Sequence, residues 1–379
     1  MDTRLHEKLP AGKTGPRWMG VGHSNDADPR KAGASAAAGA IRGDEAKLLV
    51  VFCSDSYDLS ELSAGVRSAA PGVPLIGCST AGEIATGGPA ETSVVVTALG
   101  GPGFTVHTNV ATEVSSRLRD AGAEVAGPVL EICDRAYKVL MLLTDGLAGD
   151  QQEIVRGAYS VVGGGVPLVG GCAGDDLKMI GTRQLFDDRV LEDAIVAAAI
   201  GSDAPLGIGV RHGWRKVGEP MLVTRSSDNR VYMLDDRPAL DVYLERLNAP
   251  EEARRDAAAF TRFALTHPLG LQGRSEEPHV RFIGEASFAD RSLGCIAEVP
   301  QSALAWIMEG DEDSVLQATD AACAEALDAL DGQRPLGMIA FDCIARRGVL
   351  GEPGIATEIE RVAEHAEGAP VSGFYTYGE

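Results

Sequence analysis

The chain has 379 residues, 45% of them hydrophobic and 23% charged, which is room for about two domains of ordinary globular composition. Its 34 Lys and Arg against 55 Asp and Glu leave a net charge of −21, which repels phosphate backbones and anionic lipid, so neither nucleic acid nor a membrane is an expected partner. Seven Cys without a C-x-x-C pair argue against a secreted disulfide framework and a thiolate zinc site, and the expected compartment is the cytoplasm.

Residues 1–22 read as a flexible leader. An Ala-rich helix follows from Pro29 to Ile41, with Asn25 or Asp26 as its expected cap. Leu48–Phe52 is a short apolar run suited to a strand buried on both faces, and LSELSAGVRSAA places Leu59, Leu62 and Val66 on one helical face. PLIG, a Gly-rich polar loop and SVVVTAL come next. Strand–helix–strand alternation at this spacing specifies an α/β chain.

The pattern then recurs. KLLVVFCSD from Lys47 is echoed by KVLMLLTDG from Lys138, and GVPLIGCSTAGE by GVPLVGGCAGDD. A third copy ends the chain: GMIAFDC as strand, EPGIATEIERVAEHAEG as helix and PVSGFYTYGE as loop. The three loops align without gaps on Pro74, Pro167 and Pro370, on Gly77, Gly170 and Gly373, and on the acids Glu83, Asp176 and Glu379. Glycine fixed behind a strand means a positive φ or a close approach of the backbone to something, either a tight turn or a ligand cradle. AIVAAAIG, ending at Gly201, is too short to span a membrane. GIGVRHGW and MLVTRSSDNRVYML read as strands, with helices from Pro238 to Asn248, over EEARRDAAAFTRFAL and from Asp313 or Ser314 to Gly332. The expected fold is α/β, with internally repeated strand–helix–strand–loop units forming two packed mixed-sheet domains with pseudo-symmetry, residues 23–233 and 234–379.

The stretches LIGCSTAGEI, LVGGCAGDD, His212–Trp214, LDDRPALDVYLERL and FDCIARRGVLG with GFYTYGE resemble the FIST family, a bacterial intracellular sensory module with N and C domains. The resemblance implies non-catalytic binding of a small ligand, an amino acid or related metabolite, and signalling to a separate partner such as a histidine kinase, a chemoreceptor or a cyclic-dinucleotide enzyme. It also implies an alternative, a haem-dependent nitric-oxide sensor. Family members usually run past the final Gly-Glu into a last strand, so the third loop is expected to lack that strand.

The candidate ligand residues lie in the three loops and at the end of the last repeated strand. They are Cys78, Ser79, Thr80 and Glu83; Gly170, Gly171, Cys172 and Asp175; Tyr375 and Tyr377; and Cys343 and Arg346. Hydroxyls, backbone N–H groups and acids beside an arginine would suit a zwitterion, and the carboxyl ends of strands are where α/β crevices open. Turn closure is the alternative for the acids, and a salt bridge to Asp342 or Glu352 for Arg346. His212 is a pocket donor, a haem ligand or a histidine packed on Trp214. Cys343 is the nucleophile of a further alternative, a cysteine-dependent enzyme, although no base is assignable to it.

Overall fold

A computed structural model describes residues 15–85, 92–273 and 278–379. Residues 18–22 of the expected leader are strand: Trp18–Ser24 pairs antiparallel with Val94–Gly100, while the leader's residues 1–14 lie outside the described ones. The Ala-rich helix spans Pro29–Ala40, and its cap is Asp28, whose carboxylate accepts from the Lys31 N–H at 3.1 Å. Asp26 is one step removed and accepts from the Asp28 N–H.

Three parallel strand pairs organise the chain, each bridged by a helix. Ala46–Ser54 pairs with Leu75–Thr80 across helix Leu59–Ala69; Tyr137–Thr144 with Leu168–Cys172 across Gln151–Val162; Met338–Cys343 with Val371–Thr376 across Ile344–His365. The segments expected to be Gly-rich loops are therefore mostly strands. Their shared glycine has one cause: a Cβ on Gly77, Gly170 or Gly373 would lie 1.9–2.4 Å from the carbonyl oxygen of Val51, Leu142 or Ala340, its register partner. What the backbone approaches there is the neighbouring strand, not a ligand.

The architecture is mixed α/β, with four sheets among the described residues. A six-stranded mixed sheet holds the first pair and a four-stranded mixed sheet the second. In the latter AIVAAAIGS is the strand Ala194–Ser202, buried at all nine positions between two neighbours. The third pair forms a three-stranded sheet with Glu83–Ala85, so a strand from the first half of the chain completes a sheet of the second. The Phe374 ring from this sheet packs at a tilt on Phe52 of the first pair, centroids 4.7 Å apart, in a core shared with Val139, Met141 and Leu143 of the second.

A curled antiparallel half-barrel of eight strands occupies most of residues 215–309, closed on one side by helices Ala239–Arg246 and Ala257–Ala264 around Tyr243 and Phe260. GIGVRHGW is not a strand; pairing starts at Arg215. Gly207 and Gly209 instead lie against the carbonyls of Ala326 and Ala322, so this extended segment runs along helix Glu312–Asp328. That helix starts one residue before the expected Asp313, on Asp311, whose carboxylate accepts from the Ser314 N–H while the Ser314 hydroxyl bonds back. No helix of the described residues is long and apolar enough to cross a membrane.

Candidate functional site

The three parallel pairs point their carboxyl ends at one place, and the candidate residues do meet there. They meet by closing on each other. Ser79 and Gly174 exchange hydrogen bonds, Gly174 N–H to Ser79 O at 3.0 Å and Ser79 Oγ to Gly174 O at 2.8 Å. Cys172 N–H donates to Gly378 O at 2.7 Å and Tyr377 N–H to Cys172 O at 3.1 Å. Ala81 N–H donates to Tyr375 O at 3.2 Å and Tyr375 N–H to Gly82 O at 2.8 Å. Each turn is thus sealed to both others by a pair of hydrogen bonds, backbone to backbone except for the Ser79 hydroxyl, and the expected crevice is a filled three-way junction. Gly171 belongs to the seal, since a Cβ there would lie 2.5 Å from Thr376 Cγ2.

Two turns of this junction are built alike. In Thr80-Ala81-Gly82-Glu83 the Thr80 hydroxyl donates to Glu83 Oε1 at 2.5 Å and accepts from the Gly82 N–H at 3.2 Å. In Thr376-Tyr377-Gly378-Glu379 the Thr376 hydroxyl donates to Glu379 Oε2 at 2.7 Å and accepts from the Gly378 N–H at 3.1 Å. Both acids close turns. Glu83 is 3% exposed and also accepts from Ser93 Oγ. Its burial outweighs those hydrogen bonds and pushes its pKa up to about 7.

In the second turn the working acid is Asp175, and Asp176 is exposed at 4.0 Å from Arg347. The Asp175 carboxylate accepts from the N–H groups of Met179, Ile180 and Gly181 and from the Tyr377 hydroxyl, which itself accepts from the Leu177 N–H at 2.6 Å. Burial alone would raise the Asp175 pKa; the bonds from Tyr377 and the three amides overcome it and hold the group below its usual range. The stretch 175–181 is thereby shaped by a residue from the far end of the chain. Tyr375 is core, its ring under the Arg347 guanidinium.

Arg346 does not offer a fork to a ligand. Its guanidinium is buried between Asp342 Oδ1 at 2.5 Å and Glu358 Oε1 at 2.6 Å, and also donates to Thr319 Oγ1 and to the carbonyls of His212 and Val315. The salt bridge was legible at Asp342, but the second partner is Glu358. Glu352 pairs with the neighbouring Arg347, which also donates to Ala81 O at 2.6 Å. Cys343 is buried beside Trp214 and Met308, and burial pushes its thiol well above the ordinary value, the reverse of what an activated nucleophile needs. Burial has the same effect at Cys78 and takes Cys172 to about 12. His212 takes the Trp214 N–H on Nδ1 at 2.9 Å. Gly213 beside it lies against the Ser314 and Val315 backbone, so the packed seam around His212 does not fit a haem. No group of three or more His, Cys, Asp or Glu among the described residues could hold a metal ion.

An opening lies nearby, and none of the expected residues lines it. A cleft of about 240 Å3 sits at the carboxyl end of strand Ala46–Ser54, walled by Asp55, Tyr57, Leu59, Ser60, Gly181, Arg183 and Val190. Strand–helix turns at this end of a parallel sheet are the usual place for a ligand. The signal was present in the sequence as the polar run Asp55, Ser56 and Tyr57 between strand and helix, but that run lacks the glycines that mark the turns of the junction. The cleft is tied to the junction through stretch 175–181: Gly181 lines it, and Lys178 Nζ donates to Asp55 Oδ2 at 2.7 Å.

Comparison with known proteins matches residues 47–237 to the FIST N domain and residues 239–379 to the FIST C domain. Uncharacterized protein Rv0628c of Mycobacterium tuberculosis is 26% identical over 382 aligned residues, covering 95% of this chain and 94% of the relative. Uncharacterized protein MJ1623 of Methanocaldococcus jannaschii is 30% identical over 114 residues, 28% of this chain and 22% of that one.

Proposed function

The chain belongs to the FIST family through both its N and C domains, and from that premise we propose a non-catalytic sensory protein that binds a small ligand, an amino acid or related metabolite. It passes its state to a separate partner such as a histidine kinase, a chemoreceptor or a cyclic-dinucleotide enzyme. The observation that carries the reading is the cleft at Asp55–Ser60, because Gly181 in its wall ends stretch 175–181, which Tyr377 of the C domain grips at Asp175 and Leu177. A ligand there bears on both domains at once, and it shifts their equilibrium by as much as its affinities for the two arrangements differ. On this reading the three strand–helix–strand segments are copies of one unit. The shared close-approach glycines support it, and the cleft lies at the strand–helix turn of the first copy.

The test is a panel of amino acids and related metabolites read by thermal unfolding, on the wild type and on Ser60→Trp, which fills the cleft from an exposed position. A ligand at a hundred times its Kd adds about 2.7 kcal/mol to the stability of the wild type, and Ser60→Trp should lose that gain. Equal stabilisation of both proteins would remove the cleft from the reading.

A further inference from the structure

The charges around the cleft are unequally used. Asp58 caps helix Leu59–Ala69, its carboxylate accepting from the N–H groups of Ser60 at 3.0 Å and Glu61 at 3.1 Å. The amides that would otherwise draw an anion to a helix start are therefore occupied. Arg183 has an anion already, Glu192 at 2.9 Å. Asp55 differs. Its Oδ2 takes Lys178, while its Oδ1 is buried and meets no donor among the described residues. A buried carboxylate oxygen with no donor leaves its desolvation uncompensated, and a cationic N–H is the group that would satisfy it best.

We infer that this cleft is a site for a small organic ammonium ion, which binds Asp55 and competes there with Lys178. The inference rests on the sensory reading above and narrows it: the ammonium is the recognised group, and a carboxylate on the ligand is dispensable. Leu59 and Val190 supply apolar wall for a short carbon chain.

The competitor sits on the stretch that carries the consequence. Asp176, Leu177 and Met179 hold φ of 56°, 60° and 54°, a left-handed conformation that is costly for residues other than glycine and is stored where structure elsewhere enforces it. Leu177, Met179 and Ile180 expose 51%, 60% and 85% of their surface. The stretch is held on one side by Lys178 to Asp55 and on the other by Asp175 to Tyr377. An ammonium that takes Asp55 frees the first tie and leaves the second, so occupancy of the N domain is reported on a segment hung from the C domain.

The experiment is calorimetric titration of the full chain with n-butylammonium, 4-aminobutyrate and butyrate, which share a carbon chain and differ in charge. The two amines should bind and butyrate should not. Asp55→Asn should weaken both amines at least about tenfold, the worth of a charge-assisted hydrogen bond. Lys178→Met should tighten them by about two- to fivefold, since it removes a partly exposed competitor; a lysine that merely braces the stretch would not act in that direction. Amine binding that is unchanged in Asp55→Asn or weaker in Lys178→Met overturns the inference, as does failure of both amines to bind Lys178→Met. Butyrate binding that Arg183→Gln abolishes overturns the ammonium class and leaves the sensory reading standing. That reading falls separately, on the metabolite panel.

Discussion

The junction and the cleft lie at the same end of the same parallel strands, yet one is sealed and the other open. At the junction three turns of similar sequence satisfy each other's backbone groups in pairs, and their acids turn inward to Thr80, Thr376 and four donors around Asp175. At the cleft a strand end meets a helix start with no third turn to fill the space. Converging hydroxyls and acids therefore mark a place where backbone must be satisfied. They mark a candidate ligand site only where a left-over polar group lies beside open space: Asp55 lines the cleft, whereas the Tyr375 hydroxyl, also buried without a hydrogen-bond partner, lies in the filled junction.

That contrast can be broken hardest at Arg346. Arg346→Met leaves Asp342 and Glu358 facing each other in the core, and should cost about 3–5 kcal/mol in denaturant unfolding. Ligand binding at the cleft by the folded fraction should survive. The next effect is at Glu83 and depends on pH. Its folded pKa of about 7 lies above an unfolded value of about 4.3, so the folded state binds the extra proton between these limits. Stability should fall by up to about 3 kcal/mol as pH rises from 4 to 7 on this account. Glu83→Gln should flatten that slope and exceed the wild type at pH 8; a slope unaltered in the variant would place the titration elsewhere. The smallest effect is at Tyr377. Removing the hydroxyl in Tyr377→Phe strips one donor from Asp175 and one acceptor from Leu177, for about 1–2 kcal/mol of stability. Faster hydrogen exchange should appear at residues 175–181 while the cores around Phe52 and Tyr243 keep their protection.

Much of the fold was legible. The apolar runs at Leu48, Val139 and Ile339 and the amphipathic helices after them needed only local periodicity, and the Thr-x-Gly-Glu likeness of the first and last turns became a shared hydrogen-bond pattern. The errors have a common physical form. Gly77, Gly170 and Gly373 announced a close approach, but which atoms approach is a property of strand pairing. GIGVRHGW has the composition of a strand, and the helix that its glycines contact begins about a hundred residues later. Arg346 and Arg347 are adjacent in the chain. One is buried between two carboxylates and the other lies over Tyr375, and only the turn of the helix decides which.

The sequence by itself determined most of the strands and helices, their strand–helix–strand order and the family resemblance, because these depend on patterns within about thirty residues. The tertiary structure alone decided that Glu83–Ala85 completes a sheet of the other domain, that three turns seal one another, and that Asp55 keeps an oxygen without a donor. Hydrogen-bond satisfaction is an account closed over the whole molecule, and no local pattern records which group is left open.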